Sequence, residues 1–69
     1  MVFNLSGTEY IELIKLLKLL QIAQSGGHAK IMLEDGEVKL NGEVELRKRA
    51  KLRPGDVVET AGKEITIEL

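Results

Sequence analysis

The chain has 69 residues, no cysteine and a net charge of −1, so its length suits one small domain, and disulfide bonds and thiolate metal sites are excluded. With 43% hydrophobic and 30% charged residues, the composition is typical of a soluble globular protein and not of a disordered one. The longest apolar stretch, residues 10–23, is too short and too charged to span a bilayer. Residues 2–8 show no secretory signal, so we expect a cytoplasmic protein. We also expect it to bind neither a membrane nor a cofactor.

The small net charge hides a strong polarisation of charge along the chain. Residues 47–53 contain five of the ten Lys and Arg residues and no acid, whereas all eleven Asp and Glu residues lie elsewhere. The segment therefore carries +5 and the rest of the chain sums to −6. A fixed cluster of Arg and Lys attracts phosphate backbones even on a nearly neutral protein. This basic segment, residues 47–53, is the clearest indication of function in the sequence.

The first predicted element is a helix over residues 9–23. Thr8 is its predicted N-cap, and Glu9 and Glu12 occupy the first turn, where negative charge is favoured. Ser6 with Glu9 is an alternative capping box that starts earlier. Polar residues recur only at every third position, which leaves most of the helix surface apolar. Either the domain wraps this helix on several sides, or its Leu-rich surface meets a partner such as a second copy of the chain.

A second helix is predicted from Ser25 to about Asp35. Ser25 is the N-cap and Gly36 is the residue that ends the helix in a left-handed conformation. The apolar residues at positions i, i+3 and i+4 mark the core face: Ala29, Met32 and Leu33.

After the second helix the period changes to two, which predicts a β-hairpin around Asn41-Gly42. A two-residue turn would pair Leu40 with the acidic Glu43. A three-residue connection pairs Leu40 with Val44 instead, and so keeps apolar residues on one face. We predict the three-residue form, with Gly42 at positive φ.

Residues 53–56, Arg-Pro-Gly-Asp, predict a type II turn because Pro stands at its second position and Gly at its third. A strand over 57–60, a turn over 61–63 and a strand over 64–69 follow. Ile65, Ile67 and Leu69 form the predicted inward face of the last strand. The fold class is therefore α+β: two N-terminal helices packed on a small antiparallel sheet of four to five short strands, in one domain over residues 1–69.

This order of elements resembles the ribosomal-protein S-four-type RNA-binding domain, also called the αL RNA-binding motif. The resemblance covers about residues 11–60. It rests on an ordered series of positions: Leu13, Lys15, Leu16, Leu17, Ser25, Ala29, Lys30, Leu33, Gly36, Val38, Lys39, Leu40, Asn41, Gly42 and Pro54 to Val58. The short length further resembles the stand-alone bacterial members of the family.

The resemblance implies a non-enzymatic RNA-binding module whose two helices and adjoining hairpin grip structured RNA. Carried over by position, the implied contact residues are Lys15, Lys18, Ser25, Lys30, Lys39 and Asn41. This chain departs from the family at two positions where many members have Arg, because it has Glu12 and Gly26. Both departures remove positive charge from the helical surface and shift the expected contact toward the basic segment.

The side chains of the basic segment suit phosphate contact: Arg47, Lys48, Arg49, Lys51 and Arg53. Arg can hold phosphate oxygens bidentately and Lys acts as a flexible point charge. The alternative is a solvated loop that pairs with nearby Glu residues. Tyr10 and Phe3 are the only aromatic residues, which disfavours base stacking and favours recognition of folded RNA, ribosomal or transfer RNA among the candidates.

Other functions receive less support from the sequence. The run Ser25-Gly26-Gly27-His28 could place backbone N–H groups before an anion, but an ordinary N-cap explains it equally well. His28 is the only histidine, and no nucleophile–base pair or metal-ligand cluster is evident, so we do not expect an enzyme. The main alternative is a protein-interaction or homodimerisation module that uses the apolar first helix and the final strand.

Overall fold

The computed structural model describes residues 1–69, which form two helices and seven short strands. The elements in chain order are β1 Val2–Asn4, β2 Ile11–Glu12, α1 Leu13–Leu19, α2 Gly26–Glu34, β3 Lys39–Leu40, β4 Glu43–Val44, β5 Lys51–Leu52, β6 Val57–Thr60 and β7 Lys63–Glu68. Five strands form one sheet in the order β1-β7-β6-β3-β4, and β2 pairs with β5 in a separate antiparallel ribbon. The predicted α+β class is confirmed. The parallel pairing of β1 with β7 and the separate ribbon were not predicted.

One apolar core joins the two helices to the inner face of the sheet. It contains 15 buried residues, among them Leu13, Leu16 and Leu17 of α1, Ala29, Met32 and Leu33 of α2, and Val38, Val58, Ile65 and Ile67 of the sheet region. The predicted core face of α2 and the inward positions of Ile65 and Ile67 are confirmed. Leu69 is 86% exposed, so its predicted inward position is wrong.

The first helix is shorter than predicted at both ends. Its predicted cap, Thr8, donates its hydroxyl to the Leu5 carbonyl at 2.8 Å, and Ile11 begins a strand. The N-cap is Glu12, which makes no side-chain capping bond. The alternative capping box is also wrong, because Ser6 lies in a turn at φ 54°. Long-range β-pairing has overridden helix propensity at residues 9–12.

The C-terminus of α1 is closed by a Schellman motif around Gln21. Gln21 adopts φ 59°, and the Ile22 and Ala23 N–H groups both donate to the Leu17 carbonyl at 3.0 Å. The helix therefore ends at Leu19, four residues before its predicted end. Of the apolar surface of α1, Leu19 remains 59% exposed.

No helix in the structure is both long enough and apolar enough to cross a membrane.

The second helix begins and ends as predicted. The Ser25 hydroxyl accepts a hydrogen bond from the His28 N–H at 3.1 Å, which makes Ser25 the N-cap. Asp35 is the C-cap, and Gly36 follows at φ 73°.

The predicted three-residue hairpin connection is wrong. Leu40 pairs with Glu43 across a two-residue turn in which Asn41 and Gly42 have φ values of 52° and 87°. Positive φ at both positions matches the type I′ turn that Asn-Gly favours. The prediction assumed that Val44 shares the core face, but Val44 is 51% exposed. The hairpin at Asn41-Gly42 and the positive φ of Gly42 are confirmed.

Candidate nucleic-acid interface

The backbone of the basic segment is held firmly against the fold. The Leu13 and Ile14 N–H groups at the start of α1 donate to the carbonyls of Ala50 and Lys48, each at 2.9 Å. These bonds satisfy helix N–H groups that otherwise lack partners. Ala50 and Leu52 point into the core at 5% and 0% exposure. The segment therefore contains an anchored turn followed by β5.

The anchored backbone presents the remaining side chains of the segment to solvent. Lys48, Arg49, Lys51 and Arg53 are all exposed. They alternate with the buried Ala50 and Leu52 along the chain, as expected where a strand has one face in the core. The arrangement concentrates four cations on one short stretch of fixed backbone.

Arg47 differs from the other four cations because it is bound to Glu45. Its Nε and a terminal guanidinium nitrogen lie 3.1 Å from the two carboxylate oxygens, and its backbone N–H donates at 2.9 Å. The guanidinium hydrogen bond, followed by the backbone hydrogen bond, lowers the pKa of Glu45 below its usual 4.5. The same hydrogen bond raises the pKa of Arg47. Two of the guanidinium donors of Arg47 are thus already engaged.

No other salt bridge is present in the structure. Arg47–Glu45 is the one pair with a cationic nitrogen within 4.0 Å of a carboxylate oxygen. The charges of Lys48, Arg49, Lys51 and Arg53 are therefore not neutralised by an intramolecular partner. Exposed Lys and Arg side chains are among the groups that contact phosphate oxygens in nucleic-acid complexes.

Tyr10 lies beside two of these cations. Lys51 Nζ is 5.0 Å and Arg53 Cζ 5.5 Å from the centroid of its ring, within the range of cation–π contacts. The ribbon creates this neighbourhood, because Ile11 pairs with Leu52 and the next residues outward are Tyr10 and Arg53. The sequence did not predict this contact. It depends on the register of the ribbon, which joins residues about forty positions apart in the chain.

Comparison with known proteins identifies the family of the chain. The family model described as S4 domain matches residues 3–68. The chain belongs to the S4 domain family. YbcJ of Escherichia coli K12 is 42% identical over 65 residues, which cover 94% of this chain and 93% of YbcJ. RlbA of Bacillus subtilis 168, which carries the name probable ribosome maturation protein, is 49% identical over 55 residues, covering 80% of this chain and 78% of RlbA.

The fold of this S4 domain is similar to a solved structure. The solution structure of Escherichia coli YbcJ superposes with a TM-score of 0.73 at 40% identity and covers 99% of this chain and 86% of that one. It is described as revealing an αL motif involved in RNA-binding. The family resemblance inferred from the sequence is therefore confirmed, as is its fold.

The helical lysines of this S4 domain are exposed, and the start of α2 is locked by local hydrogen bonds. Lys15, Lys18 and Lys30 project from α1 and α2 into solvent. Ser25 caps α2 through His28, and His28 Nδ1 in turn accepts from the Gln24 N–H at 3.1 Å. The Ser25 oxygen thus has an N-cap role.

The two hairpin candidates stand apart in their surroundings. Lys39 faces the outer side of the sheet, where it pairs in register with Glu59, and Glu59 pairs with Glu64. The Asn41 side chain is used internally: Nδ2 donates to Asp56 Oδ1 at 3.0 Å, and Oδ1 accepts from the Val57 N–H at 2.9 Å. The acidic neighbours of Lys39 and the internal bonds of Asn41 make both weaker candidates for phosphate contact than the basic segment.

Of the two positions that depart from the family pattern, Glu12 lies near an exposed cation and Gly26 lies near Ile14. Glu12 pairs in register with Lys51 in the ribbon, although their charged groups form no salt bridge. At Gly26 an added Cβ would lie 4.0 Å from Ile14 Cδ1, which is ordinary van der Waals contact. A Cβ atom therefore fits at position 26, so crowding at that atom does not account for the missing positive charge.

Proposed function

We propose that this protein is an RNA-binding module in one domain, and that it contacts the phosphate backbone of structured RNA through its basic segment. The observation that carries the proposal is the set of four exposed cations without a carboxylate partner: Lys48, Arg49, Lys51 and Arg53. The anchored backbone of the segment supports it, because fixing these residues in advance reduces the entropy lost when RNA binds. The RNA-binding motif ascribed to YbcJ supports RNA as the partner.

Exposed lysines of the helices extend the proposed contact surface. Lys15, Lys18 and Lys30 lie on α1 and α2. Ser25, Lys39 and Asn41 complete the set implied by the family pattern, with smaller contributions because of their local partners. Arg47 contributes least of the five cations, since Glu45 neutralises its charge and holds its guanidinium.

Folded RNA suits this surface better than a flexible single strand. The chain has one Tyr, one Phe and no Trp, whereas proteins that bind single strands use several aromatic platforms. Contacts by Lys and Arg position an RNA backbone without reading its sequence. The name of the Bacillus subtilis relative favours ribosomal RNA as the first class to test, with transfer RNA as the comparison. An RNA partner would place the protein in the cytoplasm.

The protein-interaction alternative has lost part of its support. Its apolar surface was expected on the first helix and the final strand, but Leu13, Leu16 and Leu17 of α1 are fully buried. Ile65 and Ile67 are buried too. Homodimerisation would therefore have to use the apolar side chains that stay exposed, among them Leu19 of α1 and Leu69 after β7.

Charge reversal within the basic segment tests the proposed function. We would measure the affinity of a fluorescein-labelled ribosomal RNA stem–loop by fluorescence anisotropy for wild type and for Lys48→Glu/Arg49→Glu. The matched control is Lys63→Glu, which reverses one exposed charge at the β6–β7 turn. The double variant should lose at least about tenfold in affinity, since two phosphate contacts become repulsive, while the control stays close to wild type. Equal affinities for all three proteins would refute the proposal.

A further inference from the structure

Tyr10 lies on the same face of the β2–β5 ribbon as Lys51 and Arg53. Ile11 pairs with Leu52 and Glu12 pairs with Lys51. Continuing this antiparallel register places Tyr10 directly opposite Arg53 and diagonal to Lys51, which is the spacing at which aromatic and long side chains meet across strands. The measured distances of 5.0 Å from Lys51 Nζ and 5.5 Å from Arg53 Cζ to the ring centroid agree with that placement.

An aromatic ring and a carboxylate have different effects on the cation that they hold. The carboxylate of Glu45 neutralises Arg47 and occupies two of its guanidinium donors. A ring attracts a cation through its quadrupole and carries no net charge. Lys51 and Arg53 therefore keep their full charge and their N–H donors while their long side chains are restrained.

From these contacts we propose that Tyr10 is a positioning residue, which holds Lys51 and Arg53 together as a clamp for one phosphodiester group of the RNA backbone. The inference rests on the proposed function and goes beyond it by dividing the basic segment into parts. Arg47 is bound to Glu45. Lys48 and Arg49 are exposed with no ring or carboxylate beside them. Lys51 and Arg53 are held beside Tyr10 before RNA binds. Restraining rotamer-rich side chains before binding lowers the entropy that binding costs.

A double-mutant cycle separates positioning from direct contact. Tyr10→Leu removes the ring and keeps an apolar side chain, Tyr10→Phe keeps the ring, and Lys51→Gln/Arg53→Gln removes both cations. With a fluorescein-labelled RNA stem–loop, Tyr10→Leu should weaken binding about threefold to tenfold, as expected for the loss of one or two exposed cation–π contacts. Tyr10→Phe should bind like wild type. In the background of Lys51→Gln/Arg53→Gln, Tyr10→Leu should have no further effect.

The salt dependence separates a loss of positioning from the loss of a phosphate contact. Because Tyr10→Leu leaves the number of cations unchanged, the slope of log K against log salt should equal that of wild type while the affinity is lower. The variant without the two cations should lose about 0.7 to 0.9 from the magnitude of the slope, since the pair neutralises one phosphate.

Each negative result has a distinct meaning. If Lys51→Gln/Arg53→Gln binds RNA like wild type, Lys51 and Arg53 do not contact RNA, and the proposed function is wrong for these two residues. If that variant is weakened but Tyr10→Leu is not, the positioning role is overturned and the proposed function stands. Tyr10 also lines a surface groove of about 580 Å³ with Phe3 and Leu19, so direct contact between its ring and RNA is the alternative to positioning. If Tyr10→Leu weakens binding equally in both backgrounds, Tyr10 touches RNA itself and the positioning role is again overturned.

Intrinsic fluorescence provides a measurement on the unaltered protein, in case Tyr10→Leu does not fold. Tyr10 is the only tyrosine and the chain has no tryptophan, so its emission reports on this one site. A phosphate drawn onto the two cations changes the charge beside the ring, and titration with unlabelled RNA stem–loop should change the emission of wild type. No change at saturating RNA would overturn the clamp.

Discussion

Asn41 Nδ2 donates a hydrogen bond of 3.0 Å to Asp56 Oδ1, which joins the turn of the β3–β4 hairpin to the turn that precedes β6. The second oxygen of Asp56 accepts from the Arg53 N–H at 2.8 Å. Arg53 is one of the exposed cations, so this hydrogen-bond network links the hairpin to the end of the basic segment. Asn41 therefore acts on the candidate site through the backbone that it holds.

The role of Asn41 predicts a stability cost for its replacement. Asn41→Gly keeps the positive φ but loses both side-chain hydrogen bonds, and should lower the free energy of unfolding by about 1 kcal/mol. Asn41→Ala should cost about 2 kcal/mol, because Ala also resists the left-handed conformation. Urea denaturation measures both values. The control Asn4→Ala, at an exposed position without a side-chain hydrogen bond, should stay within about 0.5 kcal/mol of wild type. An Asn41→Gly variant as stable as wild type would contradict this role.

The Arg47–Glu45 pair predicts a specific dependence of stability on pH. Because the hydrogen bonds from Arg47 lower the pKa of Glu45 below 4.5, the folded protein binds this proton less tightly than the unfolded chain does. The carboxylate therefore stabilises the fold above about pH 4.5, and the contribution is lost as the pH falls through the folded-state pKa. Wild type should lose more thermal stability than Glu45→Gln between about pH 5 and about pH 3.

Glu43→Gln is the matched control for that comparison, since Glu43 lies on the same hairpin and makes no side-chain hydrogen bond. Its melting temperature should follow that of wild type across the same range of pH. Parallel curves for wild type and Glu45→Gln would show that the ion pair has no influence on folding stability.

Glu12 faces the proposed clamp, and its removal is expected to improve RNA binding. The carboxylate lies opposite Lys51 without forming a salt bridge, so it lowers the positive potential there without fixing the lysine. Glu12→Gln should raise RNA affinity about twofold to fivefold at low salt, the scale of one charge interaction near a surface. Anisotropy binding measures the effect. Glu68→Gln, at an exposed position at the end of β7 beside Asn4, changes the net charge equally and should have less effect. Equal gains would mean that only net charge matters.

The helix α1 ends with a non-glycine residue in a left-handed conformation, and this predicts a stabilising substitution. Gln21 occupies the C′ position of the Schellman motif at φ 59°, where glycine is the usual residue. Gln21→Gly should raise the free energy of unfolding by about 0.5 to 1 kcal/mol, since Gly has no Cβ to strain. Thermal and urea denaturation test this value. Gln24→Gly, at a position without positive φ, should bring no gain, and an equal gain at both positions would contradict the explanation.

Local patterns predicted the parts of the fold that depend on neighbours in sequence. The Ser25 cap, the core face of α2 and the left-handed Gly36 all follow from residues within one or two helical turns. The turn at residues 53–56 follows likewise from its Pro and Gly, and Gly55 has φ 97°. In each case the side chain or the φ requirement lies within the element itself.

Long-range pairing explains what the sequence could not predict. Residues 11 and 12 have an apolar pattern that suits a helix, yet they pair with residues 51 and 52, about forty positions later in the chain. The hairpin register was misjudged for a related reason, since Val44 belongs to a two-residue edge strand with no layer to cover it. The ribbon leaves no local signature, whereas Asn41-Gly42 is itself a local signal for the two-residue turn that forms.

The candidate site was only partly foreseeable. The concentration of charge in residues 47–53 is visible in the sequence. Its five cations are exposed in the structure, as expected for charged side chains. Their separate surroundings are not visible: Arg47 is bound to Glu45, whereas Lys51 and Arg53 lie against Tyr10. Those differences depend on the ribbon and on the anchoring of Lys48 and Ala50 to α1.

The most direct test of RNA-phosphate contact is the salt dependence of wild-type binding to a labelled ribosomal RNA stem–loop. Contact with five to seven phosphates predicts that log K falls against log salt with a slope of roughly −4 to −6. The Lys48→Glu/Arg49→Glu variant should give a shallower slope while remaining folded. Binding by wild type with a slope near zero would contradict the account, because no mechanism based on these exposed cations could then supply the affinity.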